Sequence, residues 1–201
     1  MRFSTETDRL EAFSDGVLAV IITIMVLELR PPVGADARSL LPTLPDLAIY
    51  ALSFLFVGIY WNNHHHLLRA SHGIDGRAMW ANLHLLFWLS LIPFSTAWLG
   101  RNFGETGPTF VYSAVFLLDG VAYTLLQLSL IAVNGAGTPF ATAATTGWKG
   151  RNSLVLYAIA LAAAFYEPIV SYILLVVVAV MWLVPDRRFE PLISNAQRRE
   201  P

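Results

Sequence analysis

Two aspartates and a run of three histidines stand inside otherwise uncharged stretches of this chain. Twelve residues without a formal charge separate Asp15 from Glu28, and Asp119 is the only formal charge between Thr106 and Trp148. A carboxylate in apolar surroundings needs a cation or several hydrogen-bond donors beside it. Asp119 therefore reads in one of two ways. It is part of a proton or cation relay, or it is an acid held protonated or paired across a helix interface with Tyr123, Gln127 or a neighbouring chain. His64, His65 and His66 invite metal ligation, but successive helical residues point about 100° apart, so the three do not converge on one ion. Only His72 and His84 remain to complete a ligand set. Proton sensing near neutral pH and structural hydrogen bonding both stay open for the histidines. Glu28 and Arg30 place fixed charge at a helix end, either at the mouth of a path or simply in solvent.

Enzyme chemistry finds little support. There is no Gly-x-Ser-x-Gly elbow, no phosphate loop, no His-Glu-x-x-His and no isolated carboxylate pair. The absence of cysteine excludes disulfides, thiolate metal sites and cysteine nucleophiles. The expectation is a protein that is not an enzyme and carries no metal or cofactor.

The elements that must position these groups follow from composition. Of 201 residues, 56% are hydrophobic and 13% charged, about half the charge that a soluble domain carries. Mean hydropathy is +0.57. Net charge is −1, without the basic excess that nucleic-acid binding needs. These values describe a membrane protein in contact with lipid. The first segment holds Glu6, Asp8 and Glu11 instead of a basic leader, so the first hydrophobic stretch is expected to remain in the mature protein.

A helix needs about 20 apolar residues to cross hydrocarbon roughly 30 Å thick. The uncharged stretches, together with an amphipathic first segment, predict an all-α polytopic protein with six transmembrane helices in a single repeat. Their expected bounds are about 8–30, 44–68, 77–101, 107–133, 149–166 and 168–185, with a cytoplasmic tail over 186–201. Residues 1–201 thus form one membrane domain. The breaks fall at Pro31-Pro32-Val33-Gly34, Gly73-Ile74-Asp75-Gly76, Asn102-Phe103-Gly104 and Asn134-Gly135, and at Glu167-Pro168, where proline suits the first turn of the next helix. Asp8 and Glu11 have the spacing of a capping box for the first helix. Basic residues accumulate on the cytoplasmic side. Arg2, Arg9, Arg69, Arg77, Lys149, Arg151, Arg187, Arg188, Arg198 and Arg199 share one side, against Arg30, Arg38 and Arg101 on the other, which puts both termini in the cytoplasm.

The first helix is unusual. At helical periodicity Phe13, Gly16, Val20, Thr23, Ile24 and Leu27 form one stripe. Asp15 lies about 140° around the helix from Val20, so charge and stripe occupy different faces. The stripe is either a helix-packing face or the wall of a narrow path. In the second case rings of Val, Ile and Leu would gate by dewetting, and Thr23 would add hydroxyls that replace part of an ion's hydration shell.

Arg9-Leu10-Glu11-Ala12-Phe13-Ser14-Asp15-Gly16-Val17 resembles the Arg-x-x-x-Phe-Ser-Asp signature that opens the first helix of the transmembrane protein 175 family. These are potassium channels of endosomes and lysosomes, with bacterial and archaeal homologues. Val20-Ile21-Ile22-Thr23 matches the step that follows, and the resemblance extends to Trp61 with His64, His65 and His66, to Asn82 and to Pro93-Phe94. It implies a potassium-permeable homotetramer whose pore is made by four first helices. Carried over, Val20, Ile24 and Leu27 would form the hydrophobic gate, with Thr23 contributing to selectivity. Val20 departs from the family, which usually has Ile or Leu there. Arg9, Phe13, Ser14, Asp15, Trp61, the three histidines and Asn82 would form a structural network holding the first helix. The implied partners are a second copy of the chain, membrane lipid and monovalent cations, with potassium permeant, in a prokaryotic inner membrane. A proton-coupled transporter using Asp119 and the histidines, and a non-conducting scaffold, remain the alternative classes.

Overall fold

A computed structural model describes residues 2–184, with side chains from Glu6 onward. The expected cytoplasmic tail at 186–201, including Arg187, Arg188, Arg198 and Arg199, lies outside the described residues. Among those described, every regular element is helical. They are α1 (Arg2–Leu27), α2 (Leu44–Ala70), α3 (Gly76–Leu89), α4 (Ile92–Arg101), α5 (Thr106–Asn134), α6 (Pro139–Thr145), α7 (Trp148–Ala163) and α8 (Pro168–Leu183). A 3-10 helix, Ala37–Thr43, leads into α2.

Four stretches are long and apolar enough to cross a membrane: Glu6–Leu27, Ala37–Ala70, Gly76–Arg101 and Thr106–Asn134. Pro168–Leu183 is a shorter apolar helix. Large hydrophobic side chains such as Trp80, Phe87, Phe94, Val155 and Ile173 face outward, a surface suited to lipid and not to water. The chain is an integral membrane protein.

Local chemistry accounts for the ends of the helices. The Asp75 side chain caps α3 by accepting from the Ala78 amide at 2.8 Å. Thr138 caps α6 through Ala141 at 3.3 Å. Prolines occupy the first turn of α2, α4, α6 and α8, where a missing N–H costs nothing. After α5 the chain turns through Gly135 at φ 94°, a left-handed conformation that favours glycine.

Three expectations need correction. The first helix begins at Arg2, so Asp8 and Glu11 lie inside it and do not form a capping box. The stretch 77–101 is divided into α3 and α4 by a short turn at Ser90-Leu91. Pro93 explains the break, because it has no N–H to donate to the preceding turn and its ring crowds the carbonyl four residues earlier. Finally, the polar loop after α5 contains α6, whose Thr/Ala composition gives no apolar signature.

The centre is aromatic. Phe56 of α2 and Phe116 of α5 have ring centroids 4.3 Å apart, and Tyr112 meets Phe116 edge-on at 4.9 Å. Polar bonds tie the helices where apolar contact alone distinguishes protein poorly from lipid. Thr96 of α4 donates to Ser53 of α2 at 2.8 Å, and Ser53 shares a 2.7 Å bond with Tyr112. At the opposite end of α5, the Asn134 side chain accepts from the His72 amide at 2.7 Å and donates to Ser71 at 2.9 Å. The α2–α3 turn is thereby pinned to the end of α5. Helix α1 packs on α2, α3 and α4.

Candidate functional site

Helix α1 has two distinct faces. Leu10, Glu11, Ser14, Leu18, Ile21 and Met25 are buried against the rest of the chain. The other face carries the whole stripe read from the sequence, and within a single chain nothing covers it. Phe13 is 53% exposed, Val20 54%, Ile24 44% and Leu27 81%, and Gly16 and Thr23 are exposed as well. Phe13, Gly16, Val20 and Ile24 of the stripe form one wall of a groove of about 910 Å³ between α1 and α4, its far wall made by Pro93, Phe94, Ala97 and Trp98. Thr23 donates its hydroxyl to the Val20 carbonyl at 2.9 Å. With its proton committed to the helix, that oxygen presents only lone pairs outward, as a cation ligand must.

The buried face is fixed by a chain of hydrogen bonds. Ser14 donates to the Leu10 carbonyl at 2.8 Å and accepts from the Asn82 side-chain amide at 3.0 Å. The Asn82 carbonyl oxygen lies 2.7 Å from His64 Nε2. Since that oxygen only accepts, Nε2 carries the proton. Ser14, His64 and Asn82 are all buried, so α1, α2 and α3 meet at one buried chain of hydrogen bonds, in which His64 Nδ1 alone has no partner. Asn82 is suited to this place because one amide both donates and accepts.

Asp15 sits beside this chain and not in it. Its carboxylate accepts from the Trp61 indole N–H at 3.0 Å, while the Ser14 hydroxyl is spent on Leu10. His65 Nδ1 lies 2.6 Å from Glu11 Oε1, and Arg69 Nε lies 3.5 Å from the same oxygen. Glu11 and Arg69 therefore belong to the cluster although the sequence reading left them out. No local pattern reports this contact, which depends on how α1 turns against α2. The His66 ring meets that of His65 edge-on, with centroids 5.6 Å apart. Two signature residues stay outside: Arg9 is exposed and takes no part in these bonds, and Phe13 faces outward with the stripe.

The remaining polar residues separate from this site. His84 accepts from Trp88 at 2.9 Å on the exposed face of α3. Among the described residues, no three His, Asp or Glu side chains stand close enough to hold a metal ion. Glu28 pairs with Arg101 of α4 at 2.8 Å, at the end of α1 remote from Asp15. Asp119 is fully buried in α5, and neither carboxyl oxygen has a hydrogen-bond partner in the protein. Its two nearest candidates on the same helix are occupied elsewhere: Tyr123 donates to the Asn63 carbonyl at 3.2 Å, and Gln127 donates to the Ala144 carbonyl.

Residues 9–93, which hold the signature, the histidines and Asn82, match the family model described as endosomal/lysosomal potassium channel TMEM175. Over 187 residues the chain is 44% identical to a potassium channel of Chryseobacterium sp. (strain P1-3), covering 93% of this chain and 97% of that one. It is 36% identical over 124 residues to a potassium channel of Streptomyces collinus, covering 60% of each. Among solved structures it is similar to the crystal structure of a lysosomal potassium-selective channel TMEM175 homolog from Chamaesiphon minutus. There the TM-score is 0.78 at 26% identity, with 90% of this chain and 98% of that chain covered.

Proposed function

This chain belongs to the endosomal/lysosomal potassium channel TMEM175 family, and on that premise we propose that it forms a potassium-permeable homotetrameric channel in a bacterial cell membrane. The observation that carries this reading is the uncovered face of α1. Val20, Thr23, Ile24 and Leu27 are exposed on a helix whose opposite face is tightly packed. Four such faces turned toward a common axis would make stacked rings of apolar side chains. A path lined that way is closed by dewetting until it widens.

In this reading Val20, Ile24 and Leu27 are the gate, and the outward lone pairs of Thr23 replace part of the hydration shell of a passing ion. The α1–α4 groove receives the neighbouring subunit. The signature cluster sets the rotation of α1, since Asn82 and Trp61 hold Ser14 and Asp15 on the side away from the stripe. Val20 is smaller than the residue usual at this constriction, so the first ring is wider and the pore less strict. Six membrane helices, made by α1, α2, the α3–α4 pair, α5, α7 and α8, with both termini in the cytoplasm, agree with the distribution of Arg and Lys.

The test is the reversal potential of purified protein in a planar bilayer under a potassium-to-sodium gradient. Displacement toward the potassium equilibrium value is expected. Reversal near zero would make the pore weakly selective. Silence from correctly assembled protein would overturn the channel reading in favour of a transporter or a scaffold.

A further inference from the structure

A second cavity, of about 300 Å³, lies within the chain, and no residue of α1 lines it. Its walls come from α2, α5, the loop holding α6, and α7, closed by Trp182 of α8. Of its lining residues Gly150 and Arg151, at the start of α7, are exposed and give it a mouth at the surface. Three of its polar side chains already donate elsewhere. Asn63 donates to the Ile59 carbonyl at 2.8 Å, Thr124 to the Gly120 carbonyl at 2.8 Å, and Gln127 to the Ala144 carbonyl. The oxygens left facing the space suit water, which needs several polar partners and takes about 30 Å³ per molecule.

Tyr60 and Tyr157 line the same cavity, and the Tyr157 ring packs against α5 at Gly120, where a Cβ would meet it at 3.4 Å. Asp119 stands next to Gly120 on α5, one residue from that wall and one turn from Tyr123, which also lines the cavity. The carboxyl is fully buried and receives no hydrogen bond from the protein. Such a group persists only with a proton on it or a cation beside it. Among the described residues no cation is paired with it. From α7, Lys149 donates to the Val184 carbonyl at 2.7 Å and Arg151 is exposed at the start of the helix. From α2, His64 is bonded to Asn82, and His65 and Arg69 lie against Glu11. From α3, Arg77 and His84 are on the surface, the latter bonded to Trp88. From α4, Arg101 is paired with Glu28. From α8, Tyr172 is bonded to Thr109 at 2.7 Å, and α6 has no titratable residue. Tyr112, on α5 itself, is bonded to Ser53. Tyr60 from α2 and Tyr157 from α7 are the titratable groups that these helices bring to the cavity wall shared with Gly120.

We propose that Asp119 is a proton-binding site, separate from the α1 face, and that it exchanges protons with solvent through this cavity by way of the Tyr60–Tyr157 hydroxyl pair. In the loading step, a hydronium ion in the cavity gives a proton to one tyrosine oxygen. That hydroxyl passes its own proton to the second, and the second, on turning toward Asp119, passes its own to a carboxylate oxygen. The cavity water is left neutral, both tyrosines end as they began, and the carboxylate becomes a neutral acid. The route does not depend on the reading of α1 as a pore.

Infrared spectroscopy of the protein in lipid vesicles, transferred from H2O to D2O, tests this without any measurement of current. A protonated-carboxyl band is expected that moves on carbon-13 labelling of aspartate, is missing in Asp119→Asn, and shifts as its proton exchanges for deuterium. Replacing both tyrosines, Tyr60→Phe with Tyr157→Phe, should keep the band and slow its exchange on the order of a hundredfold, the low range for loss of a positioned proton carrier. Gly150 has open space around it, so Gly150→Leu at the mouth should slow the exchange as well. The labelled wild type is read directly, so the test survives a variant that fails to fold. A wild type without such an aspartate band, a band that never exchanges, or wild-type exchange in the double phenylalanine variant would each overturn the proposal.

Discussion

The Trp61 indole N–H donates to the Asp15 carboxylate across 3.0 Å, linking the second helix to the last carboxylate within the first. The bond crosses the edge of a buried cluster, since Trp61 is 44% exposed while Ser14, one residue from Asp15, is fully buried. Its geometry fixes which way α1 is turned, because the stripe lies on a different face from the carboxylate.

Trp61→Phe keeps the ring and removes the donor. A hydrogen bond to a charged group contributes about 1.5–3 kcal/mol, and partial exposure puts this one near the lower figure. Thermal melting in detergent should show a loss of that order. Asp15→Ala should go further and damage assembly as much as conduction. Light scattering on sized protein is the check, and normal tetramers from that variant would rule out the positioning role.

Asn82 and Ser14 should differ in cost although they share a bond. Asn82→Ala leaves the His64 Nε2–H without its acceptor and Ser14 without its donor, both in buried positions. A penalty of about 2–4 kcal/mol is expected from two groups so treated. Ser14→Ala removes one acceptor and leaves the α-helix intact, for about 1 kcal/mol. Chemical denaturation of the two variants side by side measures the ordering, and equal losses would contradict it.

Substitutions on the uncovered stripe should change flux without changing the fold. Ile24→Ala takes four bulky groups from the proposed constriction and should raise basal current, whereas Val20→Leu should lower it. Thr23→Val preserves shape and deletes the outward oxygen, so the reversal potential should move toward zero under a potassium-to-sodium gradient. Bilayer recordings compare all three, and unchanged currents throughout would remove the stripe from the conduction path.

Glu28 and Arg101 form an exposed pair, with side chains 44% and 42% accessible. Such pairs contribute roughly 0–1 kcal/mol and are screened by salt. Glu28→Gln should therefore leave the melting temperature nearly unchanged. Any effect on conductance should appear at low ionic strength and fade at high, which a salt series resolves.

The all-helical fold and its four long apolar stretches were legible because hydrocarbon penalises charge, so uncharged runs and Gly/Pro breaks mark them directly. The turn at Ser90-Leu91 was not, since Pro93 stands inside an uncharged run and leaves the charge pattern intact. The beginning of α1 was misread because a local spacing, Asp8 with Glu11, imitates a cap. Glu11 is instead taken up by tertiary contact with His65 and Arg69, and sequence spacing carries no information on that rotation. The same limit applies around Ser14 and Asp15. Polar groups of α2 and α3 could be assigned to the neighbourhood of α1, but which donor reaches which acceptor depends on turns of about 100° per residue. Asp119 was recognisable as exceptional, whereas the two tyrosines of the neighbouring cavity come from two distant helices.

The interruption between α3 and α4 gives α1 a graded mechanical support. Its N-terminal half is latched by directional bonds to Asn82 and Trp61, which break abruptly when stretched. Its C-terminal half rests on α4, a ten-residue segment, through apolar contacts and one solvent-exposed ion pair, which slide with little resistance. A force on this helix therefore bends it at the end carrying Ile24 and Leu27, while the signature end stays in register.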